Sequence, residues 1–178
     1  FDLAGRIDAA SSISFLSAAE KAPVTTTCGV GTPFWWDLHY HGTHVGSTVA
    51  SNAIVAAGVG SATRLVAIKV CAPGSAANGF AGTCPTSGVL AGILYAADIG
   101  LPVINMSLGG LTLGRFMSAK GGNGPSFRAT VNAVFHYANK KGTQVVVAAG
   151  NDSKDACGYS PARMPEVIST GATGGFLG

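Results

Sequence analysis

Gln144-Val145-Val146-Val147-Ala148-Ala149-Gly150-Asn151 decides how this chain folds. The run is short, β-branched and apolar at successive positions, then stops at a glycine and an amide. A strand that is apolar on both faces belongs in a parallel sheet with helices over it. On its N-terminal side, Val131, Val134, Phe135 and Ala138 recur at helical spacing. Ser126 can cap that helix and Gly142 can close it. Farther upstream, Pro85-Thr86-Ser87 opens a second helix with Val89, Ile93 and Ala97 on one face, Leu90 and Leu94 beside them, and Gly100 at the end. Strand-like runs occupy 64–70, 102–108 and 167–173, with a Gly-rich loop over 109–125. Strands alternating with helices imply parallel pairing through right-handed crossovers. The expectation is an α/β fold, a three-layer sandwich around a mostly parallel sheet, forming one domain over residues 1–178. Ligand chemistry in such sheets gathers beyond the strand C-termini, where Ser107 to Gly110 and Gly150-Asn151 fall.

Composition bounds the function classes. Hydrophobic residues make up 47% of the 178 and charged residues 11%, with 26 glycines, which suits a packed body with many tight turns. Net charge is +3 and no basic cluster exceeds a pair such as Lys140-Lys141, so no nucleic-acid partner is expected. No apolar run approaches the ~20 residues that cross a bilayer; a monomer with no membrane partner is expected. Cys28, Cys71, Cys84 and Cys157 include no C-x-x-C pair, which argues against zinc. Cys71 and Cys84 bracket one loop and are the favoured disulfide, with four free thiols as the alternative; a bridge would place the protein in an oxidising compartment. The first residues, Phe1-Asp2-Leu3, and the last, Gly174 to Gly178, read as the middle of something longer, so incompleteness at both ends is expected.

Two residues stand out chemically. His41 precedes Gly42-Thr43, which permits a tight entry into a helix through Val45, Val49 and Ala50. An imidazole at that entry, with its unperturbed pKa of about 6.5, suits a general base. His39, His44 and His136 read as structural, with His44 facing inward. A His41/His44 metal pair lacks both the spacing and the glutamate of a zincin. Asn151, read alone, is a turn former.

His41-Gly42-Thr43-His44-Val45, Val103-Ile104-Asn105-Met106-Ser107-Leu108-Gly109 and Ala148-Ala149-Gly150-Asn151, in that order, resemble the histidine, substrate-strand and oxyanion segments of the subtilisin-like serine proteases. Tyr159-Ser160-Pro161-Ala162 is similar to the proteinase K branch, and Val167 to Ala172 to the strand that follows. The resemblance implies that His41 is the catalytic acid/base and that Asn151 donates to the oxyanion. It implies that Ser107, Leu108 and Gly109 pair with the substrate backbone, opposite Gly82 and Thr83, with Ala149 and Gly150 beside the bound chain. The visible pocket wall, read as small and apolar, favours large uncharged side chains. His41 and Asn151 should then flank a common cavity.

The family's motif continues Ala-Gly where this chain has Gly46-Ser47, a small-for-small exchange. No D-[ST]-G is present; Asp8 is a weak substitute for the triad aspartate, and Asp37 reads as a surface residue of the loop before His41. No G-T-S-M-A follows the last strand. The expectation is therefore an internal piece of a secreted endopeptidase acting on polypeptides. Its triad Asp and Ser lie outside residues 1–178, and the piece by itself is inactive. A non-catalytic relative used for binding is the alternative. A nucleotide-binding reading leans on Gly58-Val59-Gly60 and Gly121 to Gly124, neither of which completes a phosphate loop. No cofactor is required. Calcium is common in the family, but Ser51 to Gly60 carries no carboxylate and no metal site is assigned.

Overall fold

The structure, a computed structural model, describes residues 2–54, 56–60, 62–74, 82–109 and 125–173, the side chains of 125–128 excepted. It divides into two compact units, residues 1–92 and 93–178.

In the first unit, β1 (Ile13–Ser14) pairs in parallel with β2 (Ile68–Lys69), Ile13 opposite Ile68. A bridge between Ile7 and Leu65 extends the pairing. The run read as a strand over 64–70 thus contributes two ladder residues and one bridge. Helix α1 (Ala18–Cys28) was not expected. Its start is a capping box: the Ser17 hydroxyl accepts from the Glu20 amide, and Glu20 Oε2 accepts from the Ser17 amide at 2.8 Å. Helix α2 (His41–Ala50) follows the expected course. Its buried side carries Gly46, where an added Cβ would lie 3.2 Å from Leu3 Cδ1 and 3.4 Å from Leu65 Cδ1. The small residue expected there suits this close approach.

The loop after α2 folds back on that helix. Gly60 N–H donates to Val49 C=O at 2.8 Å, and a Cβ on Gly58 would sit 2.4 Å from the Ser51 nitrogen. Gly58-Val59-Gly60 is thus a close-packed return rather than a phosphate cradle; Gly121 to Gly124 lie outside the described residues. Cys71 and Cys84 form the expected disulfide, and Cys28 and Cys157 are free and exposed. Helix α3 (Thr86–Asp98) begins just after the bridge. Its Gly88 and Gly92 are buried close against the first sheet, and a Cβ on Gly92 would meet Val70 Cγ1 at 2.9 Å.

In the second unit, β3 (Val103–Met106), β4 (Gln144–Ala148) and β5 (Val167–Thr170) form a parallel sheet in the order β3-β4-β5. Helix α4 (Pro125–Lys140) packs on β4. It starts at Pro125, so Ser126 lies inside its first turn and is not the cap; proline's fixed φ and missing N–H suit that first position. Val131, Val134, Phe135 and Ala138 are all buried, as the periodicity required. Both α3 and α4 end the same way. Leu101 N–H reaches Ala96 C=O and Gly100 N–H reaches Ala97 C=O; Thr143 and Gly142 repeat the pair onto Ala138 and Asn139. These are Schellman closures, which need the left-handed φ of +74° at Gly100 and +86° at Gly142. Each leads within three residues into a strand. On the sheet, Met106, Val145 and Val147 share the buried face. The opposite face bears Val103 and Ile168, 55% and 52% exposed, so the expected cover on both sides is present on one side among the described residues.

Candidate functional site

His41 is the first residue of α2 and is exposed. The chain enters the helix through Tyr40 at φ +67°, a conformation a bulky L-residue rarely holds, costing on the order of 1–3 kcal/mol. Tyr40 supplies no side-chain cap. The missing cap comes from Asp37, four residues before the helix. Its Oδ2 accepts from the Thr43 amide and hydroxyl, each at 2.8 Å, and its Oδ1 accepts from the His39 amide at 2.8 Å. Lys69 on β2 donates its ammonium to the carbonyl of Trp36. Burial pushes the Asp37 carboxyl up, but hydrogen bonds from His39 and Thr43 and the nearby Lys69 charge outweigh it and hold the group below its ordinary value. Lys69 is in turn lowered, chiefly by burial, against the pull of Asp37. Asp37 is therefore not the bystander the sequence suggested: it is partly buried and organises the His41 entry. The signal was an acidic residue just upstream of a helix start, where a carboxylate can accept from the first-turn amides.

Of the other histidines, His44 departs from the reading given it. His39 is part-buried, its ring stacked on Tyr40 at 4.8 Å between centroids and edge-on to His41 at 6.5 Å. His44 is exposed and does not face inward. At about 100° per residue it lies opposite the face formed by Val45, Gly46, Val49 and Ala50. His136 is exposed on α4. Asp8 is committed to its own turn, accepting from Ala10 N–H at 3.2 Å and Ser11 Oγ at 2.9 Å; the Ser11 hydroxyl chiefly lowers its carboxyl.

Also in the first unit, the N–H of Thr83 donates to Ala72 C=O at 3.0 Å and its C=O accepts from Ala72 at 2.8 Å, beside the Cys71–Cys84 bridge. The peptide groups read as a substrate edge at Thr83 are turned inward to that pair; Gly82 next to it is exposed.

In the second unit, Ser107-Leu108-Gly109 and Ala149-Gly150-Asn151 leave the C-terminal ends of neighbouring strands, since Met106 pairs with Val147. Asn105 Nδ2 donates to Ser107 Oγ at 3.0 Å. A Cβ on Gly109 would lie 3.7 Å from Pro161 Cδ, so this strand end rests against the Ser160-Pro161 segment. Ala149 N–H donates to Thr170 C=O at 3.0 Å, and Gly150 then turns the chain at φ +117°, which leaves Asn151 exposed. A shallow hollow here is lined by Ala149, Gly150, Asp152, Lys154 and Tyr159. Beside Ala149 and Gly150 the hollow carries an acid, a base and a phenol. His41 and Asn151 belong to different units. Among the described residues no group of three or more His, Cys, Asp or Glu side chains is gathered as for a metal ion.

The Subtilase family (Peptidase S8) profile matches residues 17–175. Subtilisin-like protease 4 of Trichophyton rubrum is 35% identical over 144 residues, which cover 77% of this chain and 30% of that protein. The chain spans about 30% of the length of the curated relatives it matches. Among solved structures, a cold adapted subtilisin-like serine proteinase superposes with a TM-score of 0.56 at 30% identity, over 75% of this chain and 41% of that one. Sphericase gives a TM-score of 0.64 at 25% identity, over 94% and 47%.

Proposed function

The chain belongs to the subtilase family, and on that premise we propose that it is part of a secreted serine endopeptidase that cleaves polypeptides by acyl transfer. His41 takes the proton from a serine supplied outside residues 1–178 and returns it to the leaving amine. An aspartate, also outside these residues, orients the imidazole. Asn151 donates its side-chain N–H to the oxyanion, a task suited to a neutral amide because no proton need be lost or gained. Ser107, Leu108 and Gly109 hold the substrate backbone, with Ala149 and Gly150 alongside; Gly82 and the Thr83 side chain also meet it, the Thr83 backbone groups being taken by Ala72. No cofactor takes part in the reaction, and we assign no calcium site. Asp2, the carboxylate facing the 51–60 loop, already accepts from Ser51 Oγ at 2.7 Å.

The observation that carries this reading is the exposed imidazole at the first position of α2, inside the His41 to Val45 text. Support for secretion comes from the Cys71–Cys84 bridge, since such bonds persist in oxidising compartments. The test is hydrolysis of casein by the intact protein and by its His41→Ala variant. Loss of turnover in the variant, with folding preserved, is expected; hydrolysis that survives the substitution refutes the assignment.

A further inference from the structure

Residues 39–43 form a short bridge into α2 with His41 at its centre, and one carboxylate closes that bridge from both sides. Asp37 Oδ1 holds the amide of His39, and Oδ2 holds the amide and hydroxyl of Thr43. The same oxygen lies over the residue between, because a Cβ on Gly42 would come 3.5 Å from Oδ2. The backbone flanking the histidine is therefore tied to a single group two residues away on each side. That tie supplies what the entry lacks: Tyr40 sits in a left-handed conformation and its side chain caps none of the helix amides. Such a conformation persists only where the surroundings over-determine it. Asp37 is itself anchored. It is partly buried, and the ammonium of Lys69, which donates to the neighbouring Trp36 carbonyl, places a positive charge beside it.

We propose that Asp37 is the positioning residue for His41, fixing the entry of α2 so that the imidazole is presented at one defined place. The proposal rests on the reading of His41 as the acid/base. An asparagine at 37 cannot reproduce the clamp. All three partners of the carboxylate are donors to it, and an amide nitrogen cannot accept. A displaced imidazole costs turnover more than binding, because the substrate backbone is held elsewhere and proton transfer requires close reach.

The experiment uses the intact protein with Asp37→Asn, Thr43→Val and His41→Ala, measuring kcat and KM per folded molecule, with folding followed by near-ultraviolet circular dichroism. Asp37→Asn is expected to lower kcat by roughly tenfold or more with KM within about twofold. Thr43→Val, which removes one donor and leaves the amide, should move kcat the same way by less. A folded Asp37→Asn protein with unchanged kcat, or with its whole loss in KM, overturns the proposal. If Asp37→Asn does not fold, Thr43→Val decides: kcat lowered at constant KM supports the clamp, and unchanged kcat overturns it. Turnover persisting in His41→Ala would instead refute the role of His41, and with it the reading on which the clamp depends.

Discussion

Replacing Cys71 and Cys84 with serine should destabilise the protein and weaken its hold on substrate together. The bridge closes a loop with a sequence separation of 13. In the chain-entropy account, a cross-link over a loop of this length removes about 10 cal/mol/K from the unfolded ensemble, worth ~3 kcal/mol at 25 °C. For a folded unit of about 150–250 residues that corresponds to a melting temperature lower by roughly 6–12 °C, and by less in a longer protein. A functional readout follows from what the loop contains. The reciprocal hydrogen bonds between Ala72 and Thr83 sit beside the bridge and set the position of Gly82. With the bridge gone, that pair keeps its two backbone bonds but loses the covalent tie beside them, and a substrate meeting Gly82 and Thr83 must order it on binding. The assay is thermal unfolding of the intact protein and its double-serine variant, with kcat and KM measured well below either transition. A fall in melting temperature with raised KM and steady kcat is expected. A melting temperature within about 1 °C of the parent would refute the entropic reasoning. A normal KM in a destabilised variant would refute the placing of Gly82 and Thr83 beside substrate.

Asn151→Ala should lower kcat with little change in KM; in subtilisin, a member of this family, losing its oxyanion asparagine costs ~10²–10³ in kcat, and an unaltered kcat would remove Asn151 from the reaction. Gly58→Ala should destabilise by about 1–3 kcal/mol or more, because the new Cβ meets the Ser51 and Ala50 backbone at 2.4–2.8 Å and backbone cannot swing aside; chemical denaturation checks it. The acid limb of stability should flatten in Asp37→Asn. The folded-state pKa of Asp37 lies below its unfolded value, so its contribution is full above about pH 4 and is lost as pH falls through the lower folded value. Unfolding free energies measured between pH 6 and 2 in parent and variant should therefore converge at the acid end, and parallel curves would contradict this.

The second unit was legible because its elements carry their own punctuation. The β4 run is apolar, and Gly100 and Gly142 each stand where only a left-handed residue completes the closure, so the helix ends and following strands could be placed within a residue or two. The first unit was less legible for a physical reason: its strands are short and their partners distant. β1 is two residues long, and nothing local marks Ile13-Ser14 as pairing with Ile68-Lys69. Helix α1 hid for another reason. Pro23 inside it and Thr25 to Thr27 near its end count against helix by propensity, and its apolar face is poorly marked. The capping box of Ser17 and Glu20 was the available signal, and it outweighs those residues only because it satisfies donors at the helix start.

The candidate site divides along the same line. A position that depends on where the chain turns could be read from its neighbours: His41 before Gly42-Thr43 opens α2, and Asn151 after Gly150 stands exposed beyond β4. Residues whose role depends on what lies across space could not. Asp37 looked like loop because the groups it accepts from lie two and six residues on, across a turn; Asp152, Lys154 and Tyr159 join Ala149 and Gly150 around one hollow that nothing in their local text marks. His44 shows the converse: a motif position taken as packing turns out to be solvent-facing, since the buried arc of α2 is set by Leu3 and Leu65 against Gly46 rather than by distance from His41. Under the proposed reaction, local text locates the candidate groups, and contacts such as the Asp37 clamp present them. Substitutions that erase the motif and those that loosen its support should accordingly part in kinetics, the first abolishing turnover and the second grading it.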